Sequence, residues 1–161
     1  MRLRAMFAAA AAVAVVAVAV VGVVGAGAQG SAKGSKALFA SLTGKKEVSP
    51  TGERGEGDLN GRGSFSGVFD GNELCYGLTV KRTEDPIAAH IHVGSRRVAG
   101  DVVIPLEHPT SSPGASSDCV EVDDPALVRR IQRNPARFYV NIHTPDFEGG
   151  AVRGQLFGKR R

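Results

Sequence analysis

The sequence predicts an all-β domain, an antiparallel β-sandwich or Greek-key barrel with one short helix, preceded by a signal peptide. Three observations carry this expectation. Short apolar segments recur between Gly and Pro punctuation, and several alternate apolar with polar residues at the period of two that a strand with one buried face requires. Aromatic residues make up only 6% of the 161 residues, Trp is absent and Gly reaches 21, which suits short strands and turns better than helices packed on large side chains. Once the N-terminal stretch is set aside, roughly 120 residues remain, enough for one core without structural metal or many crosslinks.

Met1-Arg2-Leu3-Arg4 opens a charge-free run of Ala, Val and Gly that ends at Ala26-Gly27-Ala28, a small-x-small cleavage signature. Residues 1–28 therefore read as a signal peptide. The run is long for that purpose, and about 20 apolar residues can span a bilayer, so an uncleaved anchor is the competing reading and the one route to a membrane partner. In both cases Arg2 and Arg4 leave the rest of the chain outside the cytoplasm, secreted or held in the cell envelope. Residues 29–36 (QGSAKGSK) read as a flexible linker, 37–157 as the folded domain, and Gly158-Lys159-Arg160-Arg161 as a basic tail that frays in solvent.

Along the domain, Ala37 to Leu42 is the first strand and Thr51 to Gly61 a charged, glycine-rich loop. Arg62 to Phe69 and Asn72 to Lys81 flank Asp70-Gly71, a type I′ hairpin signal. In the second arm Leu74, Tyr76, Leu78 and Val80 form the buried set. Ile87 to Val93, Asp101 to Leu106, Arg137 to His143 and Ala151 to Phe157 complete six or seven strands. Asp124-Pro125 supplies a helix N-cap with Pro at the first helical position, Leu127, Val128 and Ile131 share a face, and Asn134-Pro135 ends the helix. Arg129, Arg130 and Arg133 then make a solvated outer face, although such a face could also grip an anionic wall polymer.

Charge and cysteine content narrow the function classes. Lys+Arg at 20 against Asp+Glu at 16 gives +4, and removing residues 1–28 takes away two arginines and no acid, leaving +2. Nucleic acid is not an expected partner. Two cysteines are too few for a disulfide-dense scaffold or a four-thiolate zinc site. In an exported chain Cys75 and Cys119, the latter in a Ser/Gly/Asp-rich loop, pair naturally as a disulfide; a metal-ligating thiolate pair or two free thiols are the alternatives. The chain holds no Gly-x-Ser-x-Gly elbow, His-Glu-x-x-His, phosphate loop or dinucleotide glycine pattern.

The histidines carry most of the chemical potential. In Ala89-His90-Ile91-His92-Val93 a strand points both imidazoles to one side and the apolar residues to the other. In Phe138-Tyr139-Val140-Asn141-Ile142-His143 the apolar set again alternates with Tyr139, Asn141 and His143. If the two strands are neighbours, His90, His92 and His143 converge on one polar face. Three neutral imidazoles suit copper or zinc. Alternatively the three rings hydrogen-bond Tyr139, Asn141 and backbone groups as a register-fixing polar cluster, or act in acid/base catalysis. Arg153, on the last strand, is expected to be buried in a structural ion pair with an acid such as Asp146 or Glu148. Gly149, Gly150 and Gly154 are expected at turns and close approaches.

These motifs have a familiar order. Ala89-His90-Ile91-His92-Val93-Gly94, then Tyr139-Val140-Asn141-Ile142-His143-Thr144, then Gly150-Ala151-Val152-Arg153-Gly154-Gln155-Leu156, resemble the paired signature of the CHRD (chordin-type) domain. Leu42-Thr43-Gly44 with Glu47-Val48, and the Gly67-x-Phe69 to Leu78-x-Val80 hairpin, resemble that family's opening. Glu148 stands where Pro is common and Ala151 where an acid is common. The resemblance implies a secreted β-rich module of the bacterial, single-domain kind; in animal relatives such domains sit in an extracellular antagonist of growth factors. More remotely, the His-x-His strand resembles the copper ligand set of copper/zinc superoxide dismutases. Their second metal needs further ligands, and His108, in Glu107-His108-Pro109, is the single remaining histidine.

Together these readings describe an exported, non-catalytic extracellular binding or structural module whose partner is an extracellular protein or cell-envelope polymer. The alternative is a copper- or zinc-binding protein, with or without redox activity, that uses His90, His92 and His143.

Overall fold

A computed structural model describes residues 36–159. The expected signal peptide, linker residues 29–35 and the last two residues of the basic tail lie outside the described residues. Within them the chain runs β1 (Ala37–Thr43), a 3-10 turn (Gly44–Lys46), β2 (Arg62–Asp70), β3 (Glu73–Lys81), β4 (Ala88–Val93), β5 (Val102–Leu106), β6 (Gly114–Glu121), α1 (Pro125–Arg133), a second 3-10 turn (Pro135–Arg137), β7 (Phe138–Thr144), β8 (Phe147–Gln155) and β9 (Phe157–Lys159).

All pairings are antiparallel. The strands form one sheet in the order β5-β4-β7-β8-β1-β2-β3-β6, with β9 on β1. Its two edges curl toward each other: Ile104 and Leu106 of β5 share a core with Leu74 and Leu78 of β3, while Val103 and Val120 pack against that core. Glu107 N donates to the Tyr76 hydroxyl, and Ser116 Oγ donates to Glu107 O. The result is a nearly closed barrel rather than two separate sheets. Period-two alternation fills its interior: Leu38, Ala40 and Leu42 from β1, Phe65 and Phe69 from β2, Leu74, Tyr76, Leu78 and Val80 from β3, and Phe138, Val140 and Ile142 from β7. Helix α1 adds Leu127, Val128 and Ile131 to the core. Asp124 caps it as the sequence predicts, accepting from Ala126 N at 2.7 Å.

Four local expectations need correction. The Ser/Gly/Asp-rich segment around Cys119 is strand β6, not loop; β3 presents an unpaired ladder, and backbone pairing outweighs the poor strand propensity of these residues. The hairpin turn lies one residue later than expected, because Asp70 already pairs with Glu73. Gly71 alone of the two turn residues has positive φ, at +59°, the pattern of type II′ rather than I′. The last expected strand, Ala151 to Phe157, divides: β8 begins at Phe147, Leu156 leaves the ladder to donate to Phe138 O, and β9 starts at Phe157. Gly158 and Lys159, expected in the basic tail, pair with Leu38 and Ala37. β8 pairs with β1 in register only at Thr43, so the backbone of Ala37 to Phe39 is left for β9 to satisfy.

One further departure positions the site. β7 is buried at all seven positions, whereas alternation predicts burial on one face. The outer face of β7 and β8 is covered by the segment 94–101 and by residues following β1. Their anchors are polar: Gln155 Nε2 donates to Gly94 O, Arg153 Nη2 to Ser95 O and Val98 O, and Gly100 N to the Tyr139 hydroxyl.

Candidate functional site

Register brings the three histidines together. β4 pairs with β7 so that His90 faces Asn141, His92 faces Tyr139 and Ala88 faces His143, which sets all three imidazoles on the outer face. One ring nitrogen from each lies within 4.8 Å of the others. His90 Nδ1 and His143 Nε2 are 3.1 Å apart. Cys75 and Cys119 belong to a disulfide that joins β3 to β6, with Cα atoms 4.0 Å apart, so no thiolate is available to a metal there. His108 does not join the cluster; its Nδ1 lies 3.0 Å from Pro109 O.

Backbone carbonyls decide the tautomers. Gly100 O lies 2.9 Å from His92 Nδ1, and Glu148 O lies 2.8 Å from His143 Nδ1. A carbonyl only accepts, so each Nδ1 carries the proton and each Nε2 presents a lone pair. His92 Nε2 is buried and has no hydrogen-bond partner among the described residues. Gly100 makes this approach possible, because a Cβ there would sit 1.7 Å from Val93 O. Burial pushes the His92 pKa down to about 4, with His143, His90 and Arg153 adding repulsion against the Gly100 hydrogen bond. His90 falls through burial and the neighbouring His143, and His143 falls through burial. All three rings are held toward the neutral form that a metal requires.

A stack leads away from the cluster. The His92 and Tyr139 rings are nearly parallel, 7° apart with centroids at 4.8 Å, and Arg153 Cζ lies 3.4 Å from the Tyr139 centroid. Arg153 is 1% exposed, but its expected ion pair with Asp146 or Glu148 does not form. Both acids point to solvent; the guanidinium uses the Ser95 and Val98 carbonyls, and its charge is favoured by Tyr139 first and then by the buried Glu47. Glu47 is raised to about 7 by burial, against opposing help from Val48 N, Arg153 and Asn141. Asn141 and Tyr139 do not hydrogen-bond the histidines as the polar-cluster reading expects. Asn141 Nδ2 donates to Gly149 O, and Tyr139 contributes its ring face.

The sequence reading missed the contributions of Glu47, Gly100 and the Glu148 carbonyl. Glu47 carried a faint signal only through its place with Val48 in the family-like opening, since its neighbours Lys45, Lys46 and Ser49 give no hint of burial; the carbonyls carry none, because every residue has one.

Fold and site together define a small antiparallel β-barrel module with a histidine-bearing outer face. Its family is the CHRD domain, whose model matches residues 38–156, and the chain belongs to that family. No curated protein matches the chain.

Proposed function

We propose that this CHRD-domain protein is an exported, non-catalytic module that binds a single copper or zinc ion through His90, His92 and His143. Export rests on the basic, then apolar, N-terminal sequence and on a disulfide of the kind that persists in oxidising compartments. Among the described residues, no helix is long and apolar enough to cross a membrane. The observation that carries the ligand is His92 Nε2: a buried nitrogen with no hydrogen-bond partner among the described residues, on a ring clustered with two other imidazoles. A buried acceptor left unpaired costs roughly 1–3 kcal/mol, which a metal bond would offset.

The outer carbonyls act as the supports that metal-bound imidazoles ordinarily have, fixing ring orientation through the non-ligating nitrogen. Separations of up to 4.8 Å exceed the ~3.3 Å between neighbouring ligands around tetrahedral zinc, so the rings draw inward on binding. His90 is the ring placed to move: it is only half-buried, and its Nδ1 is held by the His143 ring rather than by the backbone.

Calorimetric titration of the tag-free, metal-stripped protein tests the proposal. The expected result is one equivalent bound with micromolar or tighter affinity, copper ahead of zinc in the order general to nitrogen sites. His92→Ala should weaken binding by about tenfold or more, as should His90→Ala, whose half-exposed ring makes the fold less sensitive to its removal. No heat from either metal in a folded sample would remove the metal from this reading.

A further inference from the structure

A cavity of about 240 Å³, lined by none of the three histidines, brings together Lys46, Arg54, Arg96 and Arg153. The four cations come from four places: the 3-10 turn after β1, the bridge where Val48 pairs with Arg54, the segment covering β7, and β8. Among the described residues, no acidic side chain lines the cavity. The buried acid beside Arg153, Glu47, is not part of its wall and is only partly ionised near neutral pH.

We propose that this cavity binds a tetrahedral oxyanion, a phosphate or sulfate group, free or as an ester. Arg153 supplies the buried donor. Its Nη2 is committed to Ser95 O and Val98 O, while its Nη1 is buried without a partner among the described residues. A guanidinium fixed on one side and unpaired on the other is pre-organised to donate to an oxygen of the ligand. Half-buried Lys46 and exposed Arg54 and Arg96 complete the charge, and their mutual repulsion lacks any compensating acid in the cavity. Burial followed by Arg96 and Arg54 pushes the Lys46 ammonium pKa down, as such crowding requires. A dianion relieves that repulsion where a single carboxylate does so only in part. Phe157, 54% exposed, leaves one apolar wall on which the organic part of an ester can lie.

The full-length, metal-stripped protein in a phosphate-free buffer should bind inorganic phosphate, sulfate and glycerol 3-phosphate saturably by calorimetry or NMR shift, with Kd on the order of 1 mM or tighter. Tighter binding of glycerol 3-phosphate identifies an ester as the natural form, and equal binding identifies the free ion. The double variant Arg54→Gln/Arg96→Gln, at exposed positions, should weaken binding about tenfold. Arg129→Gln/Arg133→Gln removes the same charge from the exposed face of α1 and should change it less than about twofold. Absence of saturable binding by the folded wild type, or equal losses in the two double variants, overturns the proposal. Because no metal is present, a negative metal titration has no bearing on this result.

Discussion

His92 and His143 owe their unprotonated Nε2 atoms to two backbone carbonyls, and Glu47 owes its raised pKa to a burial that Gly150 makes possible. A Cβ on Gly150 would sit 2.4 Å from both Glu47 Oε2 and Asn141 Nδ2, and its φ of +136° is strained for any other residue. Gly150→Ala should therefore cost about 2–4 kcal/mol in urea denaturation and loosen the Glu47–Asn141–Arg153 cluster. A loss under about 0.5 kcal/mol would mean that the cluster moves aside freely. At this scale the sequence was partly legible. Alternation placed His90, His92, His143, Tyr139 and Asn141 on one face, because side-chain direction in a strand is a local property. It misassigned the partners of Arg153, because Ser95, Val98 and Glu47 approach from distant segments.

Elements depend on what they are offered to pair with. β6 has residues of low strand propensity and exposes most of both faces, so β3 and the Cys75–Cys119 crosslink hold it. Closing a 44-residue separation is worth about 4 kcal/mol in the chain-entropy model. Reduction, or Cys75→Ser, should lower stability by a similar amount, and hydrogen exchange should show β6 losing protection before β4 and β7. Equal protection losses in all strands would contradict the view of β6 as a tethered edge. By contrast α1 was readable residue by residue, since its cap, first-turn proline and apolar face are adjacent in sequence. Asp124→Ala should cost about 1 kcal/mol, measured by thermal or urea unfolding.

Across the whole molecule, acid acts through opposed groups. His92 has a folded pKa near 4, below its ordinary value, so the unfolded chain binds more protons and stability falls as pH drops from about 6.5 toward 4. His90 and His143 shift in the same direction. Glu47, raised to about 7, has the opposite sign: the folded state holds the extra proton between about 4.5 and 7, so its contribution grows on acidification. In the metal-free protein, stability should fall between pH 7 and pH 5. The Glu47→Gln variant should fall more steeply, by up to ~2 kcal/mol over that interval, because it lacks the opposing term. Urea midpoints at pH 7, 6 and 5 check this, and parallel slopes would show that Glu47 ionises normally. Added copper or zinc should raise the midpoint at pH 7 and lose that effect toward pH 5, as protons compete for the imidazoles.

The all-β class, the two histidine strands, the capped helix and the family resemblance were all determined by the amino-acid sequence, because each rests on neighbours along the chain or on period-two alternation. Tertiary structure alone decided that the sheet nearly closes, that β6 and β9 are strands, and that β7 is buried on both faces. It also chose which nitrogen of His92 and of His143 carries the proton and gathered four cations around one cavity. The physical reason is common to all of these: they depend on backbone groups and charges from remote segments meeting in space, and a backbone carbonyl carries no signature in the sequence.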